Sequence, residues 1–231
     1  MVDPLGLIAY IFNDIGVDIP ETQVKEYWNH YRAADINAEW ATWSDASDCH
    51  IPLGLYGDAC KIRPGEKMIG LFLNLPLWRP RSIRVSRFLL TCVQEELLVG
   101  RTTLDCLWRH IVWACNVLHD GRWPHTGPNG EPMPIHQQPL AGQFIVPNRY
   151  FSVTEIRGDW VWFKQIFAFR SSWKGGARLP VCFQCEARSS GQFLYYDVGE
   201  DSPVWSTEYK DLAEFLVKQM PANPSCSACM Y

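Results

Sequence analysis

The sequence predicts an α/β protein of the mixed, α+β type, in which a mixed sheet is flanked by helices. The chain of 231 residues is 47% hydrophobic, which is enough to bury a substantial core. Short apolar runs bounded by turn residues indicate strands, and segments with helical spacing follow them without the regular alternation of a doubly wound fold. We expect an N-terminal helical segment over residues 1–50, a core over 51–170 and a C-terminal segment over 171–231.

The first predicted elements are one helix and a β-hairpin. Residues 21–34 follow a proline and carry apolar side chains at helical spacing, which predicts an amphipathic helix. The apolar runs IPLGLYGD (51–58) and KMIGLFLNL (67–75) are separated by a segment that contains a Pro-Gly turn. They therefore predict two adjacent strands of a buried sheet.

Two helices, a loop and a further strand are predicted after the hairpin. Residues 86–100 end on a glycine, as a capped helix does, and residues 102–121 begin with two threonines and also end on a glycine. Residues 122–142 are rich in proline and glycine and predict a loop, whereas residues 143–159 predict a strand. Beyond them the pattern predicts a helix, two short strands and a last helix over about 207–219.

Composition favours an intracellular protein. The longest apolar runs are far short of the roughly 20 residues that a membrane span needs, and no basic segment of a signal peptide follows Met1. Nine cysteines are an odd number, which argues against the disulfide framework of a secreted protein. The net charge is −4, but residues 61–87 carry seven basic residues against the single acid Glu66. These residues form a local basic island.

Two cysteine pairs have the spacing of metal-binding knuckles. Cys182 and Cys185 form the first pair, Cys226 and Cys229 form the second, and 40 residues separate the pairs. Four thiolates close the tetrahedral shell of a zinc ion, so the sequence predicts a structural Zn²⁺ site and not a catalytic one. Redox-active thiols and cysteines that only pack are the alternatives, because the spacer exceeds the roughly 15–20 residues of a common zinc ribbon.

The other cysteines and the histidines predict no site. Cys92, Cys106 and Cys115 lie in segments predicted as apolar helices, so we expect them in the core. The sequence contains neither His-x-Glu nor His-Glu-x-x-His. It therefore lacks the general-base motifs of zinc deaminases and zinc proteases.

Two aspartates occupy similar positions in the sequence. Asp58 and Asp159 each follow a glycine at the end of a predicted strand. Enzymes that cut or join phosphodiesters hold two divalent ions about 3.5–4 Å apart with carboxylates, and strand ends place such groups on a rigid backbone. Each Gly-Asp pair is also compatible with an ordinary strand-exit turn or a helix N-cap.

The order of these features resembles the catalytic core of DDE/D transposases of the CACTA type and their relatives, which have an RNase H-like fold. The likeness covers roughly residues 50–190. By this resemblance Asp58 corresponds to the first ligand of Mg²⁺ or Mn²⁺ and Asp159 to the second, and the cysteine pair that follows belongs to a zinc-binding insertion. The residues that match the Asn-Leu-Pro-Pro-Trp-like segment of the family are Asn74, Leu75, Pro76 and Trp78.

The resemblance implies a DNA strand-transfer or endonuclease activity that derives from a transposable element, with DNA as the partner and the nucleus as the location. The arginines of RPRSIRVSR are expected to contact DNA, because guanidinium groups match phosphate oxygens. A solvated helix start is the alternative for this run, and a homo-oligomer is left open. The four arginines are Arg79, Arg81, Arg84 and Arg87.

The chain departs from the transposase pattern in its third acid. The family has a glutamate on a helix beyond the zinc insertion, whereas Glu208 and Glu214 precede the second cysteine pair and the chain stops just after it. We therefore expect the third metal ligand to be missing and the core to be truncated or degenerate, with catalysis either retained or lost. The alternative function is a non-enzymatic, zinc-stapled module that binds nucleic acid or protein through the basic island.

Overall fold

A computed structural model of the chain describes residues 1–34, 49–82, 86–159 and Trp162. The chain divides into two compact units, of which the first ends at Gly158, and the elements below belong to that first unit. Residues outside the described part of the chain include 35–48, Arg84, the predicted elements beyond Trp162 and the four cysteines of the predicted zinc site.

The N-terminal part of the first unit is helical. Helix α1 (Pro4–Ala9) continues into a π-helical turn at Tyr10–Asp14, and helix α2 spans Glu21–Ala34. Asp3 caps α1, because its carboxylate accepts hydrogen bonds from two backbone N–H groups of the first turn. The bounds of α2 confirm the predicted helix over residues 21–34.

Four strands form one mixed sheet. They are β1 (His50–Arg63), β2 (Glu66–Asn74), β3 (Arg87–Gln94) and β4 (Tyr150–Gly158), and their order in the sheet is β3-β2-β1-β4. Strand β1 runs antiparallel to β2 and parallel to β4, and β2 runs antiparallel to β3. The sheet and its flanking helices confirm the predicted α+β class, and the β1–β2 pair confirms the predicted hairpin. Strand β1 lies between β2 and β4, inside the sheet.

Strand β1 continues past Asp58, so the prediction that this residue ends the strand is wrong. Residues 50–57 are mostly buried, whereas the five residues after Asp58 are mostly exposed. The exposed part remains a strand because its backbone pairs with β2. The chain returns through a turn at Pro64 and Gly65, where Gly65 adopts a φ of +88°. The end of the apolar run thus marks where burial ends and not where the strand ends.

The prediction of a helix over residues 86–100 is also wrong. The segment forms strand β3 and a short 3₁₀ turn at Glu95–Leu97. Exposed Leu89 is followed by buried Leu90, which fits the two-residue period of a strand. Strand β3 pairs with β2, and the Val2 N–H donates a further hydrogen bond to the Leu90 carbonyl oxygen (2.7 Å). Pairing between distant segments therefore overrides the local helical pattern.

Helix α3 (Gly100–Asp120) begins two residues before the predicted start and ends as predicted. Gly121 adopts a φ of +68°, and its N–H donates to the carbonyl groups of Val117 and Leu118, 3.0 and 3.2 Å away. This is the left-handed cap that glycine makes without a steric penalty. The predicted loop follows the helix, is tied by two short β-bridges, and leads into β4.

Apolar side chains from the helices and the sheet form the core. Phe12, just after α1, packs edge-on against Phe151 of β4, with ring centroids 5.2 Å apart. Further fully buried side chains come from α1, β1, β2, β3 and α3. Among them are Leu5, Ile8, Ile51, Leu53, Leu73, Leu90, Ile111 and Leu118. This core holds the central strand β1 in place.

His50, at the start of β1, is a buried polar residue. Its ring stacks on the ring of His119 with centroids 4.3 Å apart, and its Nε2 lies 3.3 Å from the His119 carbonyl oxygen. Trp28 Nε1 donates to the His50 carbonyl oxygen (2.8 Å), which links α2 to β1. Burial, with a smaller contribution from His119, lowers the pKa of His50 to about 4, so the ring is neutral near pH 7.

The expectation that three cysteines lie in the core is wrong for two of them. Cys92 is exposed and belongs to strand β3, and Cys106 is exposed on α3. Cys115 is half-buried on α3, and its burial raises the pKa of the thiol to about 11. Cys92 and Cys106 have apolar neighbours in the sequence, but the edge strand and the helix each expose one face, and these two side chains lie on it.

Candidate active site

Asp58 lies on the part of β1 where the strand becomes exposed to solvent. The Tyr56 hydroxyl donates a hydrogen bond to Asp58 Oδ2 over 3.1 Å. The guanidinium of Arg87, at the start of β3, lies 3.8 Å from the centre of the Tyr56 ring. Because residues two apart in a strand share a face, Tyr56 and Asp58 lie on the same side of the sheet. Asp58 is thus an accessible carboxylate that its neighbours orient.

The register of the two parallel strands relates Asp58 to Asp159. Gly57 of β1 pairs with Gly158, the last residue of β4. Asp58 follows Gly57 in the chain, and Asp159 follows Gly158. Each aspartate is therefore the next residue after one paired position in two adjacent parallel strands.

Asp159 is exposed, and its Oδ1 accepts a hydrogen bond from the backbone N–H of Trp162 (2.6 Å). A side-chain oxygen that accepts from the N–H three residues later is the contact of a helix N-cap. The N-cap alternative for Asp159 is therefore confirmed as a contact. It occupies one of the two carboxylate oxygens.

A polar pair on the same face of the sheet as Asp58 joins Asn74, which the motif named, to Glu155, which no motif indicated. Gly54 of β1 pairs with Asn74 of β2 on one side and with Glu155 of β4 on the other. Asn74 Nδ2 donates to Glu155 Oε1 across the glycine (3.1 Å). A Cβ atom at position 54 would lie 2.5 to 2.6 Å from the ends of these two side chains, so any other residue would force them to move. Arg157 forms an ion pair with Glu155.

Alternation along β4 is the signal in the sequence that points to Glu155 and Arg157. The two residues lie four and two positions before Asp159, so an extended strand that reaches Asp159 has all three on one face. The meeting of Glu155 with Asn74 depends in addition on the register of β1 with β4, which shifts between Leu53 and the next residue. No local pattern in the sequence reveals that shift.

The segment that resembles the transposase motif forms the exit from β2. Asn74 is the last residue of the strand, Leu75 is buried, and the Trp78 N–H donates to the Leu75 carbonyl oxygen (3.0 Å). The ring of Trp78 stacks on Phe88 of β3, with centroids 5.8 Å apart and planes 14° from parallel. The turn thereby holds an aromatic side chain beside the Asn74–Glu155 pair.

The predicted DNA-binding arginines are only partly brought together. Arg79 and Arg81 are exposed in the irregular segment after β2, so the alternative of a helix start does not hold there. The guanidinium of Arg87 lies over the ring of Tyr56, on the face of the sheet that carries Asp58. Within the basic island, Lys67 pairs with Glu95 of the 3₁₀ turn, with 3.4 Å between Nζ and the carboxylate.

The described part of the chain contains no group of three or more His, Cys, Asp or Glu side chains that is placed to hold a metal ion. Helices long and apolar enough to cross a membrane are likewise absent from that part. Comparisons of the whole chain with models of protein families, with curated proteins and with solved structures find no match.

Proposed function

We propose that the chain is a transposase-derived, RNase H-like domain that descends from a divalent-metal-dependent DNA strand-transfer or endonuclease core. One observation carries the proposal. The two aspartates that the resemblance singles out follow Gly57 and Gly158, which are paired in the adjacent parallel strands β1 and β4. About a hundred residues separate the two aspartates in the sequence, and the register of β1 with β4 pairs the two glycines that directly precede them.

The residues at this position suit a divalent ion. Neighbouring strands lie about 4.8 Å apart, and residues at one level of a parallel pair share a face. Carboxylate oxygens are the ligands that Mg²⁺ and Mn²⁺ prefer, and Asp58 is exposed and oriented by Tyr56. Asp58 and Asp159 would hold the metal, which when bound activates a water or a 3′-hydroxyl group and stabilises the leaving oxygen.

Zinc and DNA complete the proposal. Four thiolates would hold one structural Zn²⁺ ion. Native mass spectrometry of the reduced full chain tests this, and we expect it to show one zinc ion per chain. The arginines after β2 would supply phosphate contacts beside the aspartates. The zinc ligands are Cys182, Cys185, Cys226 and Cys229, and the arginines are Arg79, Arg81, Arg84 and Arg87.

Nicking of supercoiled plasmid in Mg²⁺ or Mn²⁺ tests the catalytic proposal. We expect the wild type to nick, and Asp58→Asn and Asp159→Asn to lose at least about a hundredfold in rate, because each removes a metal ligand. Asp14→Asn, which changes an exposed aspartate outside the sheet, is the matched control and should nick as the wild type does. Equal rates in the wild type, Asp58→Asn and Asp159→Asn would overturn the proposed catalysis by these two aspartates.

A non-enzymatic binding module is the second candidate. It is favoured by the N-cap contact of Asp159 and by the lack of a three-ligand group among the described residues. This function predicts that the full chain binds DNA or protein, that no plasmid is nicked, and that Asp58→Asn binds as the wild type does. A relict transposase core gives the same result in the nicking assay, since it retains the fold without the third acid.

A further inference from the structure

A cavity of about 220 Å³ opens on the face of the sheet that carries Asp58. It lies over β1, β2 and β4 and is closed at one end by the turn after β2. Tyr56, whose hydroxyl bonds to Asp58, forms part of its wall, so the cavity adjoins the candidate metal ligand. Its other lining residues are Asn74, Leu75, Pro76, Trp78, Ser86, Arg87, Glu155 and Arg157.

Hydrogen-bond acceptors dominate the inner polar end of this cavity. The Glu155 side chain is only 14% exposed, and its carboxylate has more acceptor sites than Asn74 and Arg157 together use. Asn74 holds this carboxylate by donating to Glu155 Oε1. The unused acceptor sites of Glu155 therefore favour a ligand that brings N–H groups to this end.

Arginines and aromatic rings form the outer part of the cavity. The Arg157 side chain is 65% exposed, and Arg87 lies over the ring of Tyr56. Trp78, held by its stacking on Phe88, supplies a rigid apolar wall. Guanidinium groups bind phosphate oxygens in a fixed geometry, and aromatic side chains stack on nucleobases.

We infer that this cavity binds one unpaired nucleotide of the DNA strand, and that it favours a base with an exocyclic amino group. The base would lie against Trp78, its amino group would donate to Glu155, which Asn74 holds in place, and its phosphate would meet Arg87 and Arg157. The cavity is smaller than the roughly 300–1,000 Å³ of pockets for drug-sized ligands, so it can take a single base but not a base pair. This inference rests on the proposed function for its placement beside Asp58.

Fluorescence anisotropy tests the inference by measuring the binding of short oligodeoxynucleotides to the full chain without added Mg²⁺ or Mn²⁺. Oligodeoxycytidine and oligodeoxyuridine have rings of the same size, but cytosine carries an amino group where uracil carries a carbonyl. We expect the wild type to bind oligodeoxycytidine about tenfold more tightly than oligodeoxyuridine, since each satisfied polar contact to a base edge discriminates by about that factor.

Variants assign the effect to the cavity. Arg157→Gln should weaken the binding of both oligonucleotides by about tenfold, because it removes a phosphate contact. Asn74→Ala should abolish the preference for cytosine. Arg122→Gln is the matched control, since Arg122 also lies over an aromatic ring, 4.1 Å from the centre of Phe144, and does not line the cavity. It should leave the affinities unchanged.

The inference is overturned by any of three results. They are no binding of either oligonucleotide, equal affinity for both, or wild-type affinity of Arg157→Gln, whose exposed side chain can be replaced without unfolding the protein. Because the assay contains no added Mg²⁺ or Mn²⁺, its outcome is independent of nicking. A cytosine preference without Asp58-dependent nicking rejects the proposed catalysis alone, whereas nicking without the preference rejects only the nucleotide cavity.

Discussion

Acidification towards pH 4 is expected to destabilise the first unit through His50. This residue is 4% exposed, and its burial, together with the nearby ring of His119, lowers its pKa from 6.5 to about 4. The unfolded chain binds the proton with the ordinary pKa and therefore carries more protons than the folded protein between pH 6.5 and pH 4. The contribution of neutral His50 to the free energy of unfolding is therefore fully present above pH 6.5 and is lost as the pH falls from 6.5 to about 4.

The two pKa values set the size of the effect. One pKa unit is equivalent to about 1.4 kcal/mol, so a pKa lowered from 6.5 to about 4 corresponds to about 3 kcal/mol of unfolding free energy. This is a large part of the roughly 5–15 kcal/mol by which a folded domain is stable. His50→Gln keeps a side-chain N–H for the His119 carbonyl oxygen, which lies 3.3 Å from His50 Nε2, but it cannot take up a proton.

Urea unfolding of the wild type and His50→Gln, followed by tryptophan fluorescence near pH 7 and near pH 4, measures this effect. We expect the wild type to lose about 3 kcal/mol more than His50→Gln over this range. Carboxylates titrate in both proteins, so the difference between the two isolates the histidine. Equal losses in the two proteins would refute a buried and neutral His50.

Three substitutions test the packing that positions the site. Gly121→Ala brings a Cβ to 2.9 Å from the Arg149 carbonyl oxygen at a φ of +68°, and we expect a loss of about 1–2 kcal/mol in chemical denaturation. An unchanged midpoint would contradict the left-handed cap. Gly54→Ala pushes a methyl group into the polar pair above it, whose flexible ends can move, so we expect a loss of about 1 kcal/mol. Increased stability would contradict the bridge across this glycine. Leu53→Ala empties a fully buried position and should cost about 2–5 kcal/mol, and thermal unfolding at the wild-type temperature would exclude that burial.

Local signals in the sequence were sufficient for the helices and the hairpin. The helical spacing over residues 21–34 and the glycine after α3 predict elements whose hydrogen bonds stay within one segment. The Pro-Gly turn in the hairpin does the same for β1 and β2, because the strands that it joins are neighbours in the chain. These features do not depend on distant residues, and the prediction succeeds there.

Distant pairing explains where the predictions failed. The run over residues 86–100 is compatible with helical spacing, and only hydrogen bonding to β2 makes it a strand. Strand β1 extends beyond Asp58 for a different reason: it pairs with β2 in the hairpin, whereas the apolar run that guided the prediction ends where burial ends. Asn74 and Glu155 are 81 residues apart and meet because a register shift aligns both with one glycine, so no single segment contained that information.

Anomalous scattering from a crystal of the full chain grown with Mn²⁺ tests the central claim most directly. The account predicts a manganese peak that is coordinated by carboxylate oxygens of both Asp58 and Asp159, and loss of the peak in Asp58→Asn. A wild-type crystal with no manganese at Asp58, or with the ion bound by other residues, would contradict the proposal that the two strands β1 and β4 present one metal site.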